Sequence, residues 1–246
     1  MAKRGLKIEA SAATDIGPVR PSNQDTIGCF ADLGLFVVAD GMGGLEFGEL
    51  ASQVAVESLR EFVAARPACD PEALRSGIEQ ANAQLVQKAE ELARNGKPVQ
   101  LGTTIVALLL SPDGRRACWG HVGDSRLYRM RGGRLTLLTS DHTRPGVVYQ
   151  DSREVPLDLE HTSQLYQALG LDTELTIPTS SDEVQPGDLF LLCSDGISGA
   201  LHHATLAYQL QAAGPLAGLV RTLIDLAQEA SGRDNASAVL VGLTAT

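Results

Sequence analysis

Four aspartates lie where predicted buried strands begin or end. Asp40 follows the apolar segment FVVA, Asp124 follows GHVG, Asp195 follows LFLLCS, and Asp234 precedes NASAVLV. Strand ends of one sheet can meet although they are distant in the sequence, and carboxylates that meet repel one another unless a cation or proton compensates them. Oxygen ligands without clustered His or Cys favour Mg²⁺ or Mn²⁺ over Zn²⁺. The four aspartates therefore suggest a site for a hard divalent cation.

Turn formation is the competing explanation for the same four residues. Asp-Gly, Asp-Ser and Asp-Asn are dipeptides that form turns, and each aspartate taken singly fits that role better. Spacing alone leaves both explanations open. Other catalytic patterns fit poorly. The run Gly196-Ile197-Ser198-Gly199 is one residue short of the G-x-S-x-G nucleophile motif, and the glycine-rich stretch that begins at Gly41 lacks the lysine of a P-loop.

The segments around these aspartates predict an α+β domain. Two short connections, Ser-Pro-Asp-Gly and Arg-Gly-Gly, separate apolar segments and predict hairpins, so we expect antiparallel rather than parallel sheet. Apolar runs predict buried strands over 34–39, 103–110, 116–122, 188–193 and 236–243. Helical spacing predicts helices near 49–64, over 70–92, near 199–212 and near 215–230.

Composition narrows the class of protein and its surroundings. The formal net charge of -10 argues against nucleic acid or an anionic membrane as the main partner. The sequence shows neither a secretory leader nor an apolar stretch of membrane-spanning length, which predicts a cytoplasmic protein. Four scattered cysteines form no C-x-x-C pair, and Cys118 and Cys193 within apolar runs are expected to be reduced and buried.

Eight local motifs follow one another in an order that is highly specific, although each is weak alone. They are TDIGPVRPSNQD at 14–25, VADGMGG at 38–44, GTT at 102–104, GHVGDSRLY at 120–128, SDHT at 140–143, ALG at 168–170, GDLFLLCSDG at 187–196 and RDNA at 233–236. Together they resemble the metal-dependent type 2C serine/threonine protein phosphatases, the PPM family, in their compact bacterial form.

The resemblance implies a fold and a cofactor. The expected fold is a four-layer α/β/β/α sandwich with two central antiparallel β-sheets flanked by helices. Residues 1–246 would form a single catalytic domain with a variable flap at about 144–165, which departs here from the commonest bacterial pattern. Two Mn²⁺ or Mg²⁺ ions are expected at the rim of the sandwich, with a third ion seen in bacterial members.

Matching positions in the motifs imply the metal ligands. Asp40 resembles the carboxylate that bridges two ions, and the Gly41 carbonyl oxygen resembles a further ligand of one of them. Asp195 and Asp234 resemble ligands of the other ion. Asp124 together with Asp195 resembles the site of the third ion.

Three residues near the N-terminus resemble the surroundings of that centre. Arg20 matches the arginine that grips the substrate phosphate, and a guanidinium fork suits two phosphate oxygens. Asp25 resembles an outer-shell residue that holds metal-bound water. Gln24 stands beside it where the family usually has glutamate, so we expect an altered outer shell.

Tyr166-Gln167 replaces a usual Thr-Arg pair, which predicts the loss of one structural ion pair.

The resemblance also implies an activity and its partners. A hydroxide that bridges the two ions would attack the phosphorus of phosphoserine or phosphothreonine. Metal-bound water is the expected proton donor to the leaving group, with His142 as second candidate. The implied partners are a phosphorylated protein substrate and a bacterial Ser/Thr kinase or its targets, and a monomer suffices. Two alternatives stay open: an inactive module that binds phosphoproteins on the same fold, and hydrolysis of a small phosphorylated metabolite.

Overall fold

The computed structural model describes residues 6–42, 47–93, 98–145, 147–150, 153–156, 163–171 and 174–245. The strands in these ranges are β1 (Leu6–Asp15), β2 (Asp25–Phe30), β3 (Leu35–Asp40), β4 (Ile105–Leu110), β5 (Arg116–Val122), β6 (Arg126–Arg131), β7 (Arg134–Leu137), β8 (Thr143–Pro145), β9 (Val147–Gln150), β10 (Arg153–Pro156), β11 (Ser163–Leu165), β12 (Thr179–Glu183), β13 (Leu189–Cys193) and β14 (Ala236–Ala245). The helices are α1 (Gly48–Ala65), α2 (Pro71–Leu92), α3 (Asp195–Ser198), α4 (His203–Leu210) and α5 (Leu216–Ala230).

Two antiparallel sheets of five strands each form the centre of the structure. The first sheet has the order β1-β14-β13-β6-β7, and the second has the order β12-β5-β4-β3-β2. The two hairpins predicted from the turn dipeptides are present as β4–β5 in the second sheet and β6–β7 in the first. β1 pairs with β14 along its whole length, so the first and last strands of the described chain lie side by side at one edge of the first sheet.

Strands in the middle of the sheets are buried on both faces. In β3, Leu35 and Val37 belong to an apolar cluster shared with α1 and α2. The alternate residues Phe36 and Val38 belong to a second cluster, which fills the space between the sheets with Phe190 and others. Since side chains of a strand alternate between faces, a strand covered on both sides must be apolar at every position. This explains why these strands read as unbroken apolar runs in the sequence.

Helices cover the outer face of each sheet and complete four layers. α1 and α2 pack on each other and on the second sheet, while α5 packs on β1 and β14 of the first. The start of α2 forms as predicted: the Asp70 carboxylate accepts a hydrogen bond from the Ala73 N–H at 3.3 Å, and Pro71 occupies the first helical position. The expected α+β sandwich of the PPM family is therefore confirmed.

Two segments differ from the expectation or go beyond it. The helix predicted near 199–212 is shorter, because His202 is extended at φ -61° and ψ 151° and α4 begins only at His203. Within the predicted flap, β8 pairs with β11 and β9 pairs with β10, both antiparallel. Positions 146, 151–152 and 157–162 of the flap lie outside the described residues. None of the described helices combines the length and apolarity needed to cross a bilayer.

Phe190 offers a test of the packing between the sheets. It is fully buried in the inter-sheet cluster, so Phe190→Ala should lower the free energy of unfolding by about 3–5 kcal/mol. Tyr208→Ala is the control, since that ring is 75% exposed on α4 and its loss should change the free energy by no more than about 0.5 kcal/mol. Urea unfolding followed by circular dichroism measures both; equal losses would show that Phe190 does not join the two sheets.

Candidate metal centre

Asp40 is the last residue of β3 and is held from two sides. Its backbone N–H donates to Thr104 Oγ1 at 3.0 Å, and its carbonyl oxygen accepts from the Thr104 N–H at 2.8 Å and from Thr103 Oγ1 at 2.9 Å. The antiparallel register of β2 and β3 places Asp25 directly opposite Asp40. The two threonines of the GTT motif thus fix the end of β3, and strand pairing brings the first two acidic residues together.

Gly41 directly follows Asp40, at a position where a side chain would not fit. Its N–H donates to the Gln24 carbonyl at 3.1 Å. A Cβ at this position would lie 2.1 Å from the Gly48 carbonyl oxygen, which is a steric clash with rigid backbone. The glycine therefore lets the chain pass close to the start of α1. Gly43 and Gly44 of the same motif lie outside the described residues.

Asp195 follows β13 and opens the short helix α3. The preceding Ser194 donates from its hydroxyl to Asp25 Oδ2 at 2.8 Å and accepts from the Ser237 N–H at 3.1 Å. The following Gly196 is packed so tightly that a Cβ would come within 1.9 Å of the Asn235 carbonyl oxygen. The ends of β13 and β14 are thereby locked together beside the β2–β3 pair.

Asp234 and Arg20 form an ion pair at the entrance to this group. Arg20 Nη2 donates to Asp234 Oδ2 at 2.6 Å, and both side chains remain a little over one-third exposed. The hydrogen bond to Asp234 raises the pKa of Arg20, and the charges of Asp40 and Asp195 act in the same direction. Arg20 therefore faces the predicted ligand set, although it is far from those residues in the sequence.

Burial and mutual repulsion dominate the electrostatics of these carboxyl groups. Burial first, and then the charges of Asp25 and Asp195, raise the pKa of Asp40 well above its usual range. Burial also raises the pKa of Asp195, raises that of Asp25 to about 6 and raises that of Asp124 to about 7, where Asp195 adds to the effect. A positive charge added among these carboxyl groups would stabilise their ionised forms.

The donor atoms fit a hard divalent cation. Asp25 Oδ1 and Asp195 Oδ1 are buried, and neither has a hydrogen-bond partner. Asp40 hydrogen-bonds Asp195, and Asp234 is paired with Arg20. In the part of the chain that the structure describes, no three His, Cys, Asp or Glu side chains are already placed to enclose an ion together. The residues thus supply the oxygen ligands that Mg²⁺ and Mn²⁺ prefer, with Asp234 engaged by the arginine.

The remaining predicted residues lie at the edges of the group. The charge of Asp195 contributes to the raised pKa of Asp124. The Gln24 side chain instead lies against the start of α1, since a Cβ at Gly48 would come within 2.8 Å of its Cδ atom. The roles of Asp124 in a third metal site and of Gln24 and Asp25 in an outer shell stay predictions.

His142 is tied into the segment that leads to Asp124. Its Nδ1 accepts from the Gly123 N–H at 3.2 Å, and its own backbone N–H donates to the Gly123 carbonyl at 3.0 Å. The ring contacts those of His121 and Tyr166 in tilted arrangements, with centroids at 4.9 and 5.6 Å. These contacts give His142 a structural task that its candidacy as proton donor did not include.

Gln167 is buried at the position where the usual ion pair was expected to be lost. Its side-chain amide donates to the Thr176 carbonyl at 2.6 Å and accepts from the Thr176 N–H at 3.2 Å. Two hydrogen bonds to backbone therefore fix this segment.

Asn235 is a structural residue of the centre that the sequence did not reveal. Its Oδ1 accepts from the Gln24 N–H at 2.9 Å, and its Nδ2 donates to the Ile16 and Ser22 carbonyls at 2.8 and 3.1 Å. One buried amide thus holds the loop that carries Arg20 against the end of β14. The signal available in the sequence was its place directly after Asp234 in the RDNA motif.

Comparisons with known proteins agree with this fold. A sequence model of the protein phosphatase 2C family matches residues 21–241. The serine/threonine protein phosphatase PstP of Mycobacterium tuberculosis is 33% identical over 246 residues, which cover 98% of this chain and 46% of PstP. The serine/threonine phosphatase stp of Listeria welshimeri is 32% identical over 249 residues, covering 95% of each.

Solved structures give the same assignment. The catalytic domain of PstP, in complex with two manganese ions, superposes with a TM-score of 0.80 at 31% identity and covers 97% of this chain and 99% of that domain. This chain therefore belongs to the protein phosphatase 2C family, as the motifs predicted. It spans about half the length of PstP but nearly all of stp.

Replacing Asn235 should loosen the candidate centre. Asn235→Ala removes three hydrogen bonds and leaves two carbonyls and one N–H without a partner, so the free energy of unfolding should fall by about 2–4 kcal/mol. Gln87→Ala is the control, because that amide bonds Glu91 on the exposed side of α2. Urea unfolding compares the two; a loss no greater than that of the control would contradict the assigned role.

Proposed function

We propose that this chain is a single-domain, metal-dependent phosphatase that hydrolyses phosphoserine and phosphothreonine in proteins. The observation that carries the proposal is the meeting of Asp25, Asp40, Asp195 and Asp234 with Arg20 at one end of the two sheets. Carboxylates and a guanidinium that converge there can bind cations and a phosphate side by side. Membership in the 2C family supports the same activity.

The proposed cofactor is a pair of Mn²⁺ or Mg²⁺ ions. Asp40 and the Gly41 carbonyl would hold one ion. The other would be held by Asp40, Asp195 and Asp234. A third ion would be held by Asp124 with Asp195. Bound cations would supply Lewis acidity toward the phosphate and acidify water at neutral pH. The two manganese ions in the complex of PstP support this number and kind of ion.

Arg20 is the proposed phosphate-binding residue. Its guanidinium can exchange the Asp234 carboxylate for two oxygens of the phosphate, because it stays charged and presents parallel N–H donors. Arg20 Nε is buried and has no hydrogen-bond partner, so this N–H is not already engaged by the protein. The arginine would orient the phosphorus toward the cation site and offset the charge on its oxygens.

The other residues of the site would position these groups and not react. Ser194 orients Asp25, the threonines of the GTT motif fix Asp40, and His142 fixes the backbone before Asp124. We favour this positioning role for His142 over that of proton donor, because burial lowers the pKa of its imidazole and so disfavours the protonated form. The proposed partners are phosphorylated proteins that a Ser/Thr kinase produces; the location of the chain in the cytoplasm stays a prediction from the sequence.

The proposed activity is tested with purified protein and a phosphothreonine peptide. Phosphate release should require added Mn²⁺, stop when EDTA chelates it and resume when Mn²⁺ is restored in excess. Asp40→Asn should abolish release, because it removes a charge from the shared ligand, while its circular dichroism spectrum stays that of the wild type. Turnover that persists in EDTA or in Asp40→Asn would refute the metal-dependent mechanism.

The same assay separates the alternatives. Peptide binding without turnover in Mn²⁺ would favour an inactive phosphoprotein-binding module. Faster turnover of a small phosphorylated metabolite than of any phosphopeptide would favour a metabolite phosphatase. The ligand set is retained here in all its aspartates, which favours catalysis.

Arg20 variants test phosphate binding separately from metal binding. Arg20→Ala should lower kcat/KM for the phosphopeptide by about 10- to 100-fold, the worth of hydrogen bonds to a charged group. Arg20→Lys should recover only part of this, since an ammonium lacks the two parallel donors. Arg134→Ala, which removes an exposed arginine on β7, is the matched control. A kcat/KM for Arg20→Ala within twofold of the control would exclude the proposed role.

A further inference from the structure

Two cysteines that are far apart in the sequence meet outside the carboxylate site. Cys69 lies in the short connection, residues 66–70, between α1 and α2, and Cys118 lies on β5 of the second sheet. Their Sγ atoms are 2.9 Å apart. Cys118 is fully buried and Cys69 is half-buried, so solvent reaches the pair from one side.

The surrounding backbone holds both thiols in place. Cys118 is opposite Leu109 in the β4–β5 ladder, and Cys69 Sγ lies 3.2 Å from the Leu109 carbonyl oxygen and 3.7 Å from that of Arg116. The connection that carries Cys69 is fixed at its far end by the Asp70 cap of α2. Since the sulfurs of a disulfide are about 2.05 Å apart, a bond would need a shift of less than about 1 Å.

The electrostatic surroundings favour ionisation of one member of the pair, Cys118. The hydrogen bond from Cys69 lowers the pKa of the Cys118 thiol, and the nearby Arg116 guanidinium lowers it further, whereas the same hydrogen bond raises the pKa of Cys69. A thiolate is the nucleophile in disulfide chemistry, so a thiol that ionises more easily reacts faster with an oxidised neighbour. Cys193 on β13 contrasts with it, because burial raises the pKa of that thiol to about 12.

We propose that Cys69 and Cys118 form a reversible intramolecular disulfide when the protein meets hydrogen peroxide. One thiol attacks a peroxide oxygen, releases water and becomes a sulfenic acid. The second thiol then attacks that sulfur, and the hydroxyl group leaves with the remaining thiol proton as a second water. Two thiols are oxidised to one disulfide and one peroxide is reduced to two waters. The inference does not depend on the proposed phosphatase activity.

The bond would join the helical layer to the second sheet. It would link residues 69 and 118 and so reduce the freedom of the unfolded chain, which raises the melting temperature by about 5–10 °C for a loop and a protein of this size. A thiol-based reductant would reverse the change, as expected for a modification that responds to the redox state of the surroundings.

Peptide mapping of the full chain tests the proposal. The protein is treated with hydrogen peroxide, unfolded in iodoacetamide without reductant, digested with trypsin and analysed by mass spectrometry. We expect peptide 61–75 linked to peptide 117–126. The melting temperature of the oxidised protein, measured on a folded sample, should rise. Dithiothreitol should abolish both the link and the rise. Cys29→Ser, which changes an exposed cysteine on β2, should keep the link and the rise. Cys69→Ser should abolish both.

Three results would overturn the inference. In the first, both thiols still take up iodoacetamide after peroxide treatment. In the second, Cys69 is converted to sulfinic acid without a linked peptide. In the third, the linked peptide contains Cys29 or Cys193 in place of one member of the pair. An unchanged melting temperature for reduced Cys69→Ser and reduced wild type shows that the variant is folded, so that loss of the link reports on the chemistry.

Discussion

Repulsion among buried carboxylates is the constraint on which the candidate centre depends. Asp25 and Asp40 are paired across two strands, and Asp195 joins them from the other sheet. Holding such groups together out of water is unfavourable unless donors or cations compensate them. The chain supplies the donors at the periphery: Ser194 bonds Asp25, and Arg20 bonds Asp234. Two buried oxygens, Asp25 Oδ1 and Asp195 Oδ1, have no hydrogen-bond partner among the described residues, so the donors of the protein compensate this group only in part.

The sandwich makes this unfavourable arrangement possible because it fixes strand ends rigidly. Asp40 ends β3 and Asp195 follows β13, where the apolar packing on both faces of these strands stops. Neither strand can slide, since a shift of one residue would exchange the faces of every side chain. Gly41 and Gly196 complete the effect, as each sits where backbone from another segment leaves no room for a Cβ. Ligands on such elements are placed more accurately than ligands on free loops.

The sequence predicts the elements well because burial on both faces leaves an unmistakable apolar run, and it places Asp40 at the end of one. It does not by itself show that the aspartates meet, since strand order in a sheet is not written in spacing; the ordered motifs supplied that step. Asn235 was missed because its three partners are backbone atoms of a distant loop. Every residue has such atoms, so the sequence does not show which of them a buried amide will bind. The same holds for Cys69 and Cys118, whose contact arises only when the connection between two helices folds over β5. The loss of an ion pair at Gln167 could be predicted from its residue type, but its two hydrogen bonds to the backbone of Thr176 could not.

Asn235 also connects the proposed phosphate-binding residue to a proposed metal ligand. It holds the Ile16 and Ser22 carbonyls, which flank Arg20 on both sides, and it directly follows Asp234, the partner of that arginine. Because Asn235 is bonded to Asp234 in the chain and holds the loop around Arg20, it fixes the position of that loop relative to a candidate metal ligand. Any shift of the N-terminal loop must break the buried amide bonds, so the loop and the end of β14 move together. In its proposed role, Arg20 would release Asp234 to take up phosphate while its own backbone stays in register with the carboxylates.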